Sequence, residues 1–219
     1  MEIFDISRPL SNTLAPWPGD TPFHFDLKWR MAGGASVNVG AIEMSALNGT
    51  HADAVFHFDQ NGDSIEHMPL DTYIGDAVIV DLTKVFVDGK DKANRATEIR
   101  VADLRPFAPL LEGAPRLLIK TGVWNDSTEF PTWIPVVASD VPEWLRERRV
   151  RLLGLDLPSV DPIEAKKLTN HYALASAGIA ILESLDLERV DEGVYHFAAL
   201  PLKIVGGDAA PVRAILWRD

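Results

Sequence analysis

Apolar and polar positions change over every few residues along most of the chain, and long amphipathic stretches are scarce. The runs at 37–44, 77–82, 117–121, 151–157, 179–182, 194–204 and 212–217 are mostly short and β-branched, with glycine, proline or aspartate at their ends. That pattern predicts strands. Residues 141–150, VPEWLRERRV, predict a helix: Asp140 can cap it, Pro142 suits its first turn and Glu143 follows the cap by three residues. A second helix is predicted from near Asn170 through HYALASA to Gly178. Residues 10–22 hold Pro16, Pro18, Gly19 and Pro22, which rule out regular structure and predict an extended loop carrying Trp17. Together these elements predict a strand-rich α/β fold with several adjacent antiparallel pairs. With no internal repeat and no low-complexity linker, residues 1–219 are expected to form a single domain.

Composition narrows the function. Hydrophobic content of 47% and charged content of 24% fit a globular chain long enough to bury a core. No apolar run approaches the length of a membrane span. The opening MEIFDISRPL lacks a basic region followed by an apolar core, so no secretory signal is expected and the cytoplasm is the expected location. Zero cysteines exclude disulfides and thiolate ligands and fit a reducing compartment. Any metal must then be held by His, Asp and Glu, which suits zinc, manganese or iron(II). A net charge of −11 argues against nucleic acid as a partner.

Candidate chemistry concentrates in LNGTHADAVFHFD, residues 47–59. Read as a strand, it puts His51, Asp53 and His57 on one face, a start for a metal site. Gly49 permits close backbone approach, and the Thr50 hydroxyl can orient a neighbour. The same spacing also fits a surface strand whose polar residues alternate with Ala52, Ala54 and Phe56. A second signal lies at 171–183, where His171 opens a helix and Glu183 closes the apolar strand GIAILE. A carboxylate there needs a partner, either a metal or solvent. His67 lies nearby in sequence and reaches such a site only if its loop folds back.

GTHADAVFHFD, together with WPGDTP (17–22), GASVNVG (34–40), DLPSVDP (156–162), the His171 to Glu183 spacing and PVRAI (211–215), resembles the metal-dependent cyclase family, in its bacterial kynurenine formamidase branch. The similarity runs over nearly the whole chain. It implies a cyclase-like, swivelling β/β/α fold: a mixed sheet with a barrel-like core and flanking helices, in a homodimer. It also implies hydrolysis of a small aromatic amide, N-formylkynurenine, to kynurenine and formate. Carried over by position, His51 and Asp53 ligate metal, and Asp53 bridges to a second ion held by His171 and Glu183. His57 transfers protons, and Trp17 lines the substrate pocket.

The family pattern is His-x-Gly-Thr-His-x-Asp, and its first histidine falls on Leu47, which cannot coordinate. One well-held zinc or manganese ion is therefore expected, with a second weak or absent. Two rival readings accompany this one: a cyclic amide or lactone hydrolase of the same family, of the isatin hydrolase kind, and a small-molecule-binding member without catalysis. Asp156, Ser159 and Asp161 are candidates to support the site from behind, and the polar loop between Trp124 and Trp133 is a candidate cover for a pocket.

Overall fold

The computed structural model describes residues 1–86 and 97–218. Its strands are β1 (Glu2–Asp5), β2 (His24–Trp29), β3 (Val39–Glu43), β4 (His51–Asp53), β5 (Ile74–Asp81), β6 (Glu98–Ile99), β7 (Arg116–Lys120), β8 (Val136–Val137), β9 (Leu152–Leu155), β10 (Ala180–Glu183), β11 (Gly193–Ala198), β12 (Ala209–Pro211) and β13 (Ile215–Arg218). The α-helices are α1 (Thr83–Phe86), α2 (Val101–Leu104), α3 (Val141–Glu147) and α4 (Thr169–Ser176).

Nine strands form one mixed sheet in the order β1-β13-β11-β5-β7-β9-β10-β4-β12. The four middle strands, β5, β7, β9 and β10, run parallel, and the strands on either side pair antiparallel. Parallel strands bury both faces, which is why their sequences read as continuous apolar runs. Along β5, Val78 and Val80 join one core cluster while Ala77 and Ile79 join the other. The first cluster packs the sheet against Phe86, Leu104, Trp144 and Leu174 of the helices. The second gathers Ile6, Tyr73, Phe197 and Leu216 from one end of the sheet with Ala52 and Ala210 from the other. Strands so far apart in order share a core only because the sheet curls around it, and a bridge between Ser7 and Leu185 draws the two ends together. Gly154 permits the tightest packing there, since a Cβ would lie 2.4 Å from Leu118 Cδ2.

The predicted mixed sheet with a barrel-like core and flanking helices is what forms, with local differences. Helix α3 stops at Glu147, and the Asp140 side chain makes no capping bond. Helix α4 spans Thr169–Ser176 and gives way to Gly178 at φ +72, as expected. The predicted strand at 194–204 ends at Ala198, and that at 212–217 begins only at Ile215. The predicted strand at 37–44 shortens to β3 and leaves the main sheet, pairing with β2 as a separate two-stranded ribbon. Register puts Phe25 opposite Ile42 and Leu27 opposite Gly40, so these residues share one face. Phe25, Trp29, Met31, Val37, Val39 and Ile42 are all exposed.

Candidate metal centre and cavity

Strand β4 lies between β10 and β12, and its register sets His51 directly opposite Glu183. Asp53, two residues along, shares that face. The predicted parity ends there. The chain leaves β4 at Ala54 and makes a single 3₁₀ turn, Val55–His57, closed by bonds from the Asp59 amide to the Val55 carbonyl and the Phe56 amide to the Asp63 carbonyl. His57 thus reaches the site from that turn rather than from a continuing strand. His171 comes from the first turn of α4.

These side chains converge. His51 Nε2 lies 3.5 Å from Asp53 Oδ1 and 3.5 Å from Glu183 Oε2. His171 Nε2 lies 3.5 Å from Asp53 Oδ2 and 3.7 Å from Glu183 Oε1. Each imidazole therefore faces one oxygen of each carboxylate. Donors around a tetrahedral ion at about 2.1 Å stand about 3.4 Å apart, close to these separations. His51, Asp53 and Glu183 form the compact set, with their donor atoms within 4.8 Å of one another. The resemblance assigns Glu183 to the His171 side alone; here its carboxylate spans both histidines.

All four residues are 3% exposed. His51 Nε2 and both Asp53 oxygens are buried with no hydrogen-bond partner. A buried carboxylate without a donor is costly, and a cation among these atoms removes the cost. Both histidine Nδ1 atoms and Glu183 Oε1 are committed elsewhere. The Gly49 carbonyl accepts from His51 Nδ1 at 2.9 Å, which turns the lone pair of Nε2 toward the carboxylates. Gly49 has φ +69 in that turn. Asp161 accepts from His171 Nδ1 at 2.7 Å and from the Asn170 and His171 amides, locking the second ring. Glu183 Oε1 accepts the Val160 amide at 3.0 Å. The Thr50 hydroxyl donates to the Ser184 carbonyl and accepts the Arg8 amide, joining β4 to the end of β10.

Electrostatics agree with a cation site. Burial works to lower the His51 imidazole, but Glu183 and Asp53 outweigh it and raise it to about 9. Burial likewise opposes His171, and Asp161, Asp53 and Glu183 raise it to about 10. Burial and the Asp53 charge push the Glu183 carboxyl up. Two carboxylates this close hold positive charge between them, as protons or as a metal that displaces protons.

Above the centre opens a cavity of about 440 Å³ lined by Trp17, Asp20, Leu47, Asn48, His57, Trp124, Phe130 and the histidines of the centre. Trp17 packs edge-on against Phe130 at 5.2 Å, and Phe130 lies 6.0 Å from Trp124, forming an aromatic wall. Leu47 occupies the wall at the position of the family's first histidine. Asn48, also buried, donates to the Thr21 carbonyl rather than facing away on a strand. His57 Nδ1 lies 3.5 Å from Asp208 Oδ2, and that carboxylate raises the imidazole above its usual range.

Asp161 supports His171 as the sequence suggested. Asp156 instead braces the backbone before Trp124, accepting from Thr121 and Gly122. Ser159 lines the cavity, and Trp133 does not. His67 does not fold back: its side chain is 66% exposed and pairs with Ser64. Asp208 was not legible beforehand. It follows a Gly-Gly pair with no local pattern, and reaches His57 because its carbonyl accepts the Ala54 amide at the end of the β4–β12 ladder.

Residues 4–162 match the family model described as putative cyclase. A kynurenine formamidase of Bacillus cereus is 41% identical over 98% of this chain and 97% of its own length. Among solved structures, a protein of Bacillus stearothermophilus described as a predicted metal-dependent hydrolase superposes with a TM-score of 0.78 at 28% identity, covering 98% of this chain and 97% of that one. Isatin hydrolase A of Labrenzia aggregata superposes with the same TM-score at 22% identity, over 98% and 93% of the two chains, which establishes a common fold alone.

Proposed function

This chain belongs to the cyclase family, and from that premise we propose that it is a metal-dependent kynurenine formamidase, hydrolysing N-formylkynurenine to kynurenine and formate. The observation that carries the reading is the set of buried, partnerless donors of His51 and Asp53 beneath an aromatic-walled cavity. The formamidase relative at 41% identity favours this substrate over a cyclic amide, since the isatin hydrolase likeness reaches the fold only. Intact donors argue against a binding protein without catalysis.

In this reading His51, Asp53, His171 and Glu183 hold the metal. Their nitrogen and oxygen donors suit zinc, with manganese the alternative. One ion is well held; the second is weak, because Leu47 offers no donor. A bound divalent ion supplies an acidified water and a polarised formyl carbonyl. Trp17 stacks on the anilide ring, worth about 1 kcal/mol beyond the area buried. His57 takes the proton of the attacking water and returns it to the departing aniline nitrogen, while Asp208 stabilises the imidazolium in between.

The assembly in this reading is a homodimer, supported by the ribbon, whose exposed Phe25, Trp29 and Ile42 offer an apolar surface in need of a cover. The location is the cytoplasm, which the cysteine-free composition fits. No helix among the described residues is long and apolar enough to cross a membrane.

The test is direct. Protein purified without chelator and loaded with zinc or manganese is assayed on N-formylkynurenine, with formate and kynurenine both quantified. Equimolar release of the two is expected. A metal-loaded protein inert on this substrate but active on isatin overturns the assignment in favour of the cyclic amide.

A further inference from the structure

The cavity contains one acidic side chain that neither the metal centre nor the proton path uses. Asp20 lies at the end of the turn that carries Trp17: its amide donates to the Trp17 carbonyl at 2.9 Å, and Gly19 takes φ +90 between them. One carboxylate oxygen accepts the Thr21 amide at 2.6 Å. Among the described residues no Lys, Arg or His comes within ion-pair distance of it. The turn is held in place from both sides. Asn48 and the Ser45 amide donate to the Thr21 carbonyl, and the Ala15 amide donates to Ser127 in the loop that carries Phe130.

Outside the metal centre and His57, the cavity's ionisable lining is acidic. Its ionisable lining consists of Asp20, Glu183 and three histidines, and no Lys or Arg among the described residues lines it. Beyond the metal centre and His57, an anionic arm on a substrate meets no Lys or Arg among the described residues, whereas a cationic arm meets Asp20 beside the aromatic wall. We propose that Asp20 is a specificity-determining residue that receives a primary ammonium group, so that the cavity selects aryl substrates bearing an ammonium side arm over those bearing only a carboxylate.

The inference rests on the formamidase reading for the identity of the arm. In N-formylkynurenine the formamide and the α-ammonium lie on opposite sides of the aryl ketone. With the formamide at the metal centre and the ring at Trp17, the ammonium is the group left for the cavity rim. The α-carboxylate, with no Lys or Arg in the described lining, then faces solvent. Selection of this kind needs no new machinery: one charge-assisted hydrogen bond in a half-open site is worth roughly 10-fold.

Binding and turnover separate this inference from the reading beneath it. Calorimetric titration of the zinc-loaded protein with L-kynurenine and with its deaminated analogue, 4-(2-aminophenyl)-4-oxobutanoic acid, gives a ratio of dissociation constants without any chemistry. The wild type should favour L-kynurenine by roughly 10-fold, and Asp20→Asn should bring the ratio near unity. Asp20→Glu, which retains the charge, should keep most of the preference and guards against a variant that has merely lost its fold. A ratio unchanged in Asp20→Asn, or a wild type that favours the deaminated acid, overturns the role of Asp20 whether or not N-formylkynurenine is hydrolysed. Failure of hydrolysis with the ratio intact overturns the formamidase reading and leaves the ammonium selection standing.

Discussion

Residues 24–43 and residues 48–53 are close in sequence, and they depart from the usual division between core and surface in opposite directions. At 48–53 the polar residues are inside: Asn48, Thr50, His51 and Asp53 are each 3% exposed. On the ribbon the apolar residues are outside, with Ile42 at 62% and Trp29 at 59%. A buried carboxylate without a donor and an exposed aromatic cluster each raise the free energy of the isolated chain; a bound cation would relieve the first and an apposed surface the second. The contrast teaches what kind of thing is wanted. Donor atoms about 3.5 Å apart call for an ion; a two-stranded ribbon, marginal in water by itself, calls for another surface. In sequence the ribbon lies between two segments that line the cavity, residues 15–20 and 47–51.

The largest effect is expected from the polar side of this contrast. Asp53→Ala removes an oxygen facing each imidazole and should abolish metal binding, with activity lower by roughly 10³-fold or more. Metal per chain by mass spectrometry and turnover check it together; full occupancy in this variant would put the ion elsewhere. His57→Ala should slow turnover by roughly 10² to 10⁴ while the metal stays, and loss of metal would make His57 a ligand instead. Asp161→Asn leaves every donor present but unlocks the His171 ring, which should weaken metal affinity by roughly 10- to 100-fold in a competition titration with a chelator.

On the apolar side, Ile42→Lys should shift self-association by roughly 10-fold or more in sedimentation while metal content stays at the wild-type level. A dimer indifferent to this change would mean that another face joins the copies. The smallest effect belongs to Leu47→His, which should raise occupancy of the weaker ion without being required for turnover. Overpacking of the ring against the cavity wall would cost about 1 to 3 kcal/mol and show as a lower melting temperature.

How much of this was legible depended on how local the cause was. The parallel strands were readable because burial of both faces leaves an unbroken apolar run, as in Val78–Val80. His51, Asp53, His171 and Glu183 were readable as residue types in known spacings, although only the fold brings residues 51 and 183 opposite each other. His57 rests on the resemblance and on a strand parity that the structure does not follow. Val55 and Phe56 suit a strand, and the bonds that curl them into a turn come from Asp59 and Asp63. Strand β1 leaves little trace in the sequence because it is four residues long and mostly exposed, and its partner β13 lies at the far end of the chain. The loop between Trp124 and Trp133 was readable as a pocket cover, and its Phe130 does line the cavity; Asp208 carries no such signal, because a contact made by topology leaves no periodic trace.

The bond from the Thr50 hydroxyl to the Ser184 carbonyl spans 134 residues of chain, and the facing of His51 and Glu183 depends on that same pairing. Closing so long a loop carries an entropic cost, and pairings of such wide sequence separation slow folding. The donor set cannot exist until β4 has found β10, so metal cannot template the early chain. It can only hold the finished one. Refolding rates measured with and without zinc should therefore nearly coincide, while unfolding slows in its presence, so that the ion lengthens the lifetime of the native state rather than hastening its arrival.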